Sequence, residues 1–274
     1  MKLKEIRFLL LMGLCCGSLL AFSYINPYNG RITLSELILQ LSGSRGDLSL
    51  GFSLPELLSL SAKLLPYFLF ELYIGTNLYQ HFCTASVYIF SRTPNRVTWY
   101  IKECSIIASF TLLYQLSIIV VSVVITCFRY QVIWTTAGFV VLVIHIVIYS
   151  LWTFSMTLLV NILAILLGSG TAFMITIIAQ LILVTCFMPL NLLEGNQILF
   201  SIMLNINPIA HLIIGWNYSS FNWFNELVHA PWNLLPLAGT IFYVLAITII
   251  IVLIGRYYVH KHDLIISNLE FGGM

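Results

Sequence analysis

Long apolar runs, separated by shorter polar segments, are the main pattern of this chain. About 20 apolar residues in helical form cross the hydrocarbon core of a bilayer, because a helix satisfies its own backbone hydrogen bonds there. The runs predict six membrane-spanning helices, at residues 8–25, 56–79, 106–127, 133–158, 171–187 and 237–254. Residues 132–190 contain no Asp, Glu, Lys or Arg and are too long for one span, so we divide them at Gly168-Ser169-Gly170. The predicted fold is all-α, with one transmembrane domain over residues 1–274.

Two longer segments, residues 27–55 and 188–236, connect the predicted spans. In the first, apolar residues recur at helical spacing from Leu34 to Leu41, which predicts a short interfacial helix. In the second, Asn205-Ile206-Asn207-Pro208 cuts an apolar run too short for a seventh span. Aromatic residues follow it, and such rings prefer the membrane–water interface. We therefore expect short helices that dip into the membrane surface in this second segment.

Composition excludes most other classes of protein. Hydrophobic residues make up 60% of the chain and charged residues only 8%, whereas soluble domains have about 25% charged residues. The net charge of +2 and the lack of a basic run argue against a nucleic-acid partner. The six cysteines form no CxxC pair, which favours buried apolar thiols. The first segment has features of a signal peptide, but we interpret it as a retained anchor.

Basic residues give the predicted spans an orientation, since loops rich in Lys and Arg stay cytoplasmic. One side carries eight of the 12 and the other three, with Lys63 inside span two: Lys2, Lys4, Arg7, Arg92, Arg96, Lys102, Arg256 and Lys261, against Arg31, Arg45 and Arg129. Both chain ends and residues 80–104 are therefore predicted to lie inside. Residues 27–55 and 188–236 are predicted to lie outside.

Motifs for enzymatic chemistry are absent from the sequence. There is no GxxxxGK[ST] phosphate loop, no HExxH and no GxSxG. His260 and His262 flank Lys261, but without a nearby Cys or Glu they do not predict a metal site. We expect no catalytic residue, no metal and no cofactor in this chain.

Four polar side chains fall within or beside the spans, namely Lys63, Glu71, His145 and Asn161. Ionisable residues inside a membrane are costly and are candidates for a transport pathway. Lys63 and Glu71 are eight residues apart, so they point about 80° apart on an ideal helix and could line one cavity. Structural roles are the alternative. Lys63 would then reach the outer interface, Glu71 would pair with a neighbouring helix, and His145 and Asn161 would bond between helices.

The segment from Ser91 to Lys102 is the most informative. It is basic, compact and predicted to be cytoplasmic, with Arg92, Arg96 and Lys102. A simple positive loop explains those charges but not the apolar and aromatic residues among them, such as Val97 and Trp99. That mixture is typical of an amphipathic helix that lies along the membrane or docks on a partner.

The chain resembles the permease subunits of ABC-2-type transporters. The layout is similar, and two local patterns carry the resemblance. Ser91-Arg92-Thr93-Pro94-Asn95-Arg96, followed by Trp99 to Lys102, looks like the family's R-S-x-x-R…K stretch before span three. Asn207-Pro208-Ile209-Ala210-His211-Leu212 is similar to an element of the family's external re-entrant helices.

The resemblance implies a division of labour between subunits. A separate ABC ATPase, in two copies with ATP and Mg, would dock beneath residues 80–104. The implied coupling residues are Arg92, Thr93, Pro94, Arg96, Trp99 and Lys102, and the implied re-entrant element includes Asn207, Pro208 and His211. Two permease chains, identical or homologous, would enclose the pathway in a bacterial plasma membrane. Small permeases of this type often export peptides or confer immunity to bacteriocins.

Two other functions remain open at this stage. One is an ion-coupled carrier or channel that uses Lys63, Glu71 and His145, although the matched broken helices typical of carriers are not apparent. The other is a non-transporting membrane scaffold or immunity protein that binds a partner at its aromatic external segment.

Overall fold

The computed structural model describes residues 3–27, 30–43, 53–88, 95–188, 197–228 and 235–261. The described chain is almost entirely helical. Its longer helices are α1 (Leu3–Tyr24), α3 (Leu54–Ile74), α4 (Asn77–Tyr88), α5 (Arg96–Arg129), α6 (Thr136–Leu167), α7 (Ser169–Thr185) and α11 (Leu237–Lys261). The all-α prediction is confirmed.

Five helical segments of this described part are long and apolar enough to cross a membrane, judged by length and composition. They are Lys4–Tyr24, Leu54–Cys83, Arg96–Arg129, Thr136–Leu167 and Leu237–His260. The predicted fifth span corresponds to α7, which has only 17 residues. A helix of that length measures about 26 Å, slightly less than the roughly 30 Å hydrocarbon core. The count of six spans therefore stays a prediction.

Span two is longer than predicted, because α4 continues α3 after a short turn at Gly75 and Thr76. The Gly75 N–H donates to the Glu71 carbonyl at 2.7 Å. A Cβ atom at Gly75 would lie 2.9 Å from the side chain of Val160 on α6, which explains why the close approach of the two helices uses glycine here.

Helix α5 begins earlier than the predicted third span. The side chain of Asn95 caps it by accepting from the Thr98 N–H at 3.3 Å, and the helix runs without a break to Arg129. Residues 96–102 are therefore its first turns. A separate amphipathic helix, expected over this part of the basic segment, does not occur among the residues described.

The contact between α1 and α5 is the most extensive contact between two helices in the described residues. Small residues on α1 permit it. Gly13 and Gly17 are one turn apart on α1 and face α5. A Cβ at Gly17 would lie 2.6 Å from the Ile118 carbonyl, and Ser122 Oγ donates to the Gly17 carbonyl at 3.0 Å. Small residues permit such close packing between membrane helices. This GxxxG pattern was overlooked in the sequence.

Helix α2 (Leu34–Ser42) differs from the expected interfacial helix. The side chain of Thr33 caps its first turn together with Glu36, as the S/T-x-x-E pattern favours. Buried residues cover most of its circumference, so it does not lie on the surface with one face exposed. The strand β1 (Arg31–Thr33) pairs in parallel with β2 (Gln131–Ile133), which holds α2 beside α6.

Residues 197–236 contain short helices, as predicted, among the positions that are described. They are α8 (Gln197–Ile206), α9 (Pro208–Leu212), a 3₁₀ turn (Ile214–Trp216) and α10 (Asn222–Val228). Two short strands, β3 (Asn217–Tyr218) and β4 (Leu235–Pro236), pair just before α11. The insertion of the short helices into a membrane surface stays a prediction.

Candidate functional site

The side chain of Lys63, on α3, contacts the C-terminal end of α2. Its Nζ donates to the Gln40 carbonyl at 2.8 Å and to the Gly43 carbonyl at 2.9 Å, and it lies 4.8 Å from the centre of the Tyr24 ring. The last carbonyls of a helix lack intrahelical partners and carry partial negative charge. The ammonium group satisfies one of them, at Gln40, and also the carbonyl of the cap residue Gly43. Lys63 therefore anchors α2 to α3, which is a structural role, while its reach to the outer interface stays a prediction.

Tyr149 on α6 completes the same anchor, and sequence reasoning missed it. Its hydroxyl donates to the Ser42 carbonyl at 2.8 Å. Its ring lies 5.2 Å from the ring of Tyr67 and 4.2 Å from that of His145. His145 is buried, and its Nδ1 has no hydrogen-bond partner. The available signal was a tyrosine inside a span, since a buried tyrosine hydroxyl usually finds an acceptor.

Glu71 lies deeper along α3 and is completely buried. Both carboxyl oxygens accept from a single donor, Nε2 of Gln180 on α7, at 3.0 and 2.9 Å. The other end of that amide, Gln180 Oε1, has no partner. Glu71 thus pairs with a neighbouring helix, as one of the two sequence interpretations held. Gln180 was missed, although it carries the only amide side chain in α7.

Asn161 also joins two helices. Its Oδ1 accepts from the Tyr79 N–H at 3.2 Å, and its Nδ2 donates to the Thr157 carbonyl at 2.8 Å. The N–H groups of a first helical turn have no partner inside the helix, and Tyr79 lies in the first turn of α4. Asn161 therefore fixes the start of α4 against α6.

The predicted pathway residues are not brought together in the described contacts. Lys63 bonds to α2, Glu71 bonds to Gln180, and His145 contacts Tyr149. Further buried polar atoms lack partners at Ser150 and Trp152. Each such atom costs about 1–3 kcal/mol when it is left unsatisfied. The helix bundle thus has a polar interior, but these side chains form no shared coordination site.

The C-terminal half of α4 and the first turns of α5 contact each other and form a helical hairpin. The rings of Phe82 and Trp99 lie 5.7 Å apart, and His81 Nδ1 lies 3.1 Å from Glu103 Oε2. Trp99 is thus half-buried against α4, while Lys102 is exposed and Arg96 is half-buried. The other three predicted coupling residues, Arg92, Thr93 and Pro94, lie outside the described residues.

A cavity of about 160 Å³ opens beside this hairpin. Three helices contribute polar side chains to it, and the polar lining consists of Glu5, Asn77, His81 and Glu103. The cavity is not predictable from the sequence, because α1, α4 and α5 bring together residues that are far apart along the chain. Its polar lining combines two carboxyl groups with one histidine, so it favours cationic groups over anions.

The predicted external element is held between α7 and α11. Asn207 Nδ2 donates to the Leu183 carbonyl near the end of α7 at 2.7 Å, and Asn207 Oδ1 accepts from the Ile209 N–H at 3.0 Å. Pro208 occupies the first position of α9, where its missing N–H leaves no bond unmade. Asn207 and Pro208 thus shape the turn between α8 and α9.

His211 joins this element to α11. One ring nitrogen lies 2.9 Å from Thr240 Oγ1 and the other 3.0 Å from the Asn205 carbonyl, and the Thr240 hydroxyl in turn donates to Asn217 Oδ1. The ring stacks on Tyr243 with centres 4.2 Å apart. Burial lowers the pKa of His211, and the bond to the carbonyl opposes that shift. All these contacts are internal, so they favour a structural role for His211.

The described residues thus contain four separate hydrogen-bonded contacts, centred on Lys63, Glu71, Asn161 and His211, and a polar cavity beside the α4–α5 hairpin. Among them, no group of three or more His, Cys, Asp or Glu side chains could hold a metal ion. Comparison with known proteins gives no assignment, because no family model, no curated protein and no solved structure matches this chain.

Proposed function

We propose that this chain is the membrane-spanning permease subunit of an ATP-binding cassette exporter for a peptide or another amphipathic compound. A separate ATPase would supply ATP and Mg, and a second permease chain would complete the pathway. Both chain ends would lie in the cytoplasm, with six crossings in which α7 is the fifth. This proposal keeps the layout and resemblance that the sequence suggests.

The α4–α5 hairpin is the observation that carries the proposal. Helix α5 has 34 residues and is therefore about 51 Å long, well beyond the roughly 30 Å of a hydrocarbon core. Its apolar run begins near residue 106, so the surplus lies at the Arg96 end. The Phe82–Trp99 ring contact joins that end to α4. An extension of α5 that carries Arg96 and Lys102 and packs against α4 is suited to transmit movement from a cytoplasmic partner.

The external element gives weaker support. It fills the space between α7 and α11 through Asn207 and His211, on the side opposite the hairpin. Such a cap would close the outer end of a pathway until α7 moves. A carrier built on Lys63, Glu71 and His145 is less well supported, because those three side chains lie in separate contacts.

Copurification tests the assignment. The full-length chain, tagged and purified from its host's membranes in mild detergent, should bring with it a subunit that hydrolyses ATP. Reversing two basic charges of the hairpin, half-buried Arg96 and exposed Lys102, with R96E and K102E should lower the yield of that subunit at least tenfold, because both residues lie in the first turns of α5. Trp99 is left unchanged, since its contact with Phe82 stabilises the hairpin itself.

The matched control is R31E, which reverses an exposed charge at the opposite end of the molecule. It should leave the yield of the ATPase subunit unchanged. Absence of any ATP-hydrolysing partner from the wild-type preparation would refute the proposal. Equal losses in R31E and in R96E/K102E would show that the hairpin is not the docking site.

A further inference from the structure

The contact between Glu71 and Gln180 has an incomplete set of hydrogen bonds. Glu71 offers two acceptors that face the same donor, Nε2, while Gln180 Oε1 faces no donor. Exposure is 0% for Glu71 and 1% for Gln180, so bulk water does not supply what is missing. An ionised carboxylate with one amide as its partner would be very unfavourable at such a depth.

No cation in the described part of the chain neutralises Glu71. Helix α7 carries no titratable side chain, and α6 carries only His145 and Tyr149, which contact each other. Lys63, on the same helix, donates to the carbonyls at the end of α2. Glu71 and Gln180 provide three side-chain oxygens, fewer than the six or more that Ca²⁺ or Mg²⁺ usually takes.

A single proton would complete this arrangement. With a proton on one carboxyl oxygen and a small rotation of the amide, Glu71 would donate to Gln180 Oε1 while Gln180 Nε2 donates back to the other oxygen. Every polar atom of the pair would then be bonded, and no charge would be buried. We propose that Glu71 and Gln180 form a proton-binding site within the membrane, which holds α3 against α7 while the proton is bound.

This site makes the packing of α3 and α7 sensitive to pH. The packed helices hold the proton, and the separated helices release it to water. Stability is therefore fully present in acid and falls as the pH rises, until the carboxyl ionises in the packed state as well. The inference does not depend on the proposed function, because it concerns only contacts within this chain.

Infrared spectroscopy of the full-length chain in lipid tests the proton directly. A protonated carboxyl gives a C=O stretching band that ionised carboxylates lack, and this band should persist in the wild type at neutral pH. It should disappear in E71Q, which replaces the acid with an amide of the same shape. The control E56Q removes a carboxyl from the same helix, where Glu56 accepts from the Ser53 N–H at 2.8 Å in the first turn. It should leave the band unchanged.

Thermal unfolding across pH gives the second measurement. The wild type should lose stability as the pH rises, with up to a tenfold change in the unfolding equilibrium per pH unit for one proton. E71Q should lose that slope and remain folded. The proposal is overturned if the wild type shows no protonated-carboxyl band at neutral pH, or if E71Q keeps the band. A band that Na⁺ or K⁺ abolishes at fixed pH would show a metal-cation site instead.

Discussion

Lys63 and Glu71 lie inside the same helix, α3, and are equally unusual by composition, yet their surroundings differ. Lys63 donates to two backbone carbonyls at the end of α2 and lies over an aromatic ring. Glu71 meets one side-chain amide, half of which is unpartnered. The lysine thus has what a cation needs, whereas the carboxyl lacks what an anion needs. A buried ionisable group whose hydrogen bonds suit its charged form indicates a structural role, and one whose hydrogen bonds do not suit its charged form is a candidate for proton binding.

The largest effect should follow from removing the lysine. K63M keeps much of the volume but leaves the Gln40 and Gly43 carbonyls without their donor. Hydrogen bonds to charged groups are worth about 1.5–3 kcal/mol each, so we expect the chain to lose roughly 3 kcal/mol or more of its unfolding free energy. Reversible unfolding in lipid bicelles measures this loss. K102M removes an exposed lysine and should change the free energy by no more than about 0.5 kcal/mol. A similar loss in both variants would contradict the anchoring role.

The sequence predicts one half of each contact. Apolar run lengths place the spans and show that Lys63 and Glu71 are inside one of them. Their partners are not predictable in the same way, because Lys63 bonds to main-chain atoms that every residue carries, 20 and 23 positions away. Gln180 lies 109 positions from Glu71, and only the packing of α7 on α3 brings them together.

The packing of the hairpin, too, could not be predicted from the sequence. The basic character of residues 91–102 is evident from composition, but the interleaved aromatic residues suggested a surface helix. In the structure Trp99 packs on Phe82 of the preceding helix, so one face of its ring contacts the protein, while Ile101 two positions later is exposed. A helix that is amphipathic in sequence can bury its apolar face against either, and periodicity alone does not distinguish them.

A smaller effect should follow from Y149F, which removes the other donor to the end of α2. The Tyr149 hydroxyl makes one neutral hydrogen bond to the Ser42 carbonyl at 2.8 Å. Its loss should lower the unfolding free energy by about 1 kcal/mol, because the ring and its contacts with Tyr67 and His145 remain. The same bicelle assay measures the change. A loss as large as that of K63M would mean that charge is not what distinguishes the two donors.

The smallest effect should be the coupling between Lys63 and Glu71 themselves. If the two residues belong to independent contacts, the losses of K63M and E71Q should add within about 0.5 kcal/mol in the double variant. The positive control is K63M with Y149F, because both donors hold the same end of α2. Removal of either one already loosens that end, so their effects should fall short of additivity by more than about 0.5 kcal/mol. Strong coupling between Lys63 and Glu71 would instead place them in one cavity, as a carrier would require. Weak coupling would mean that Gln180 and the packing around it, and not Lys63, hold the proton that we propose for Glu71.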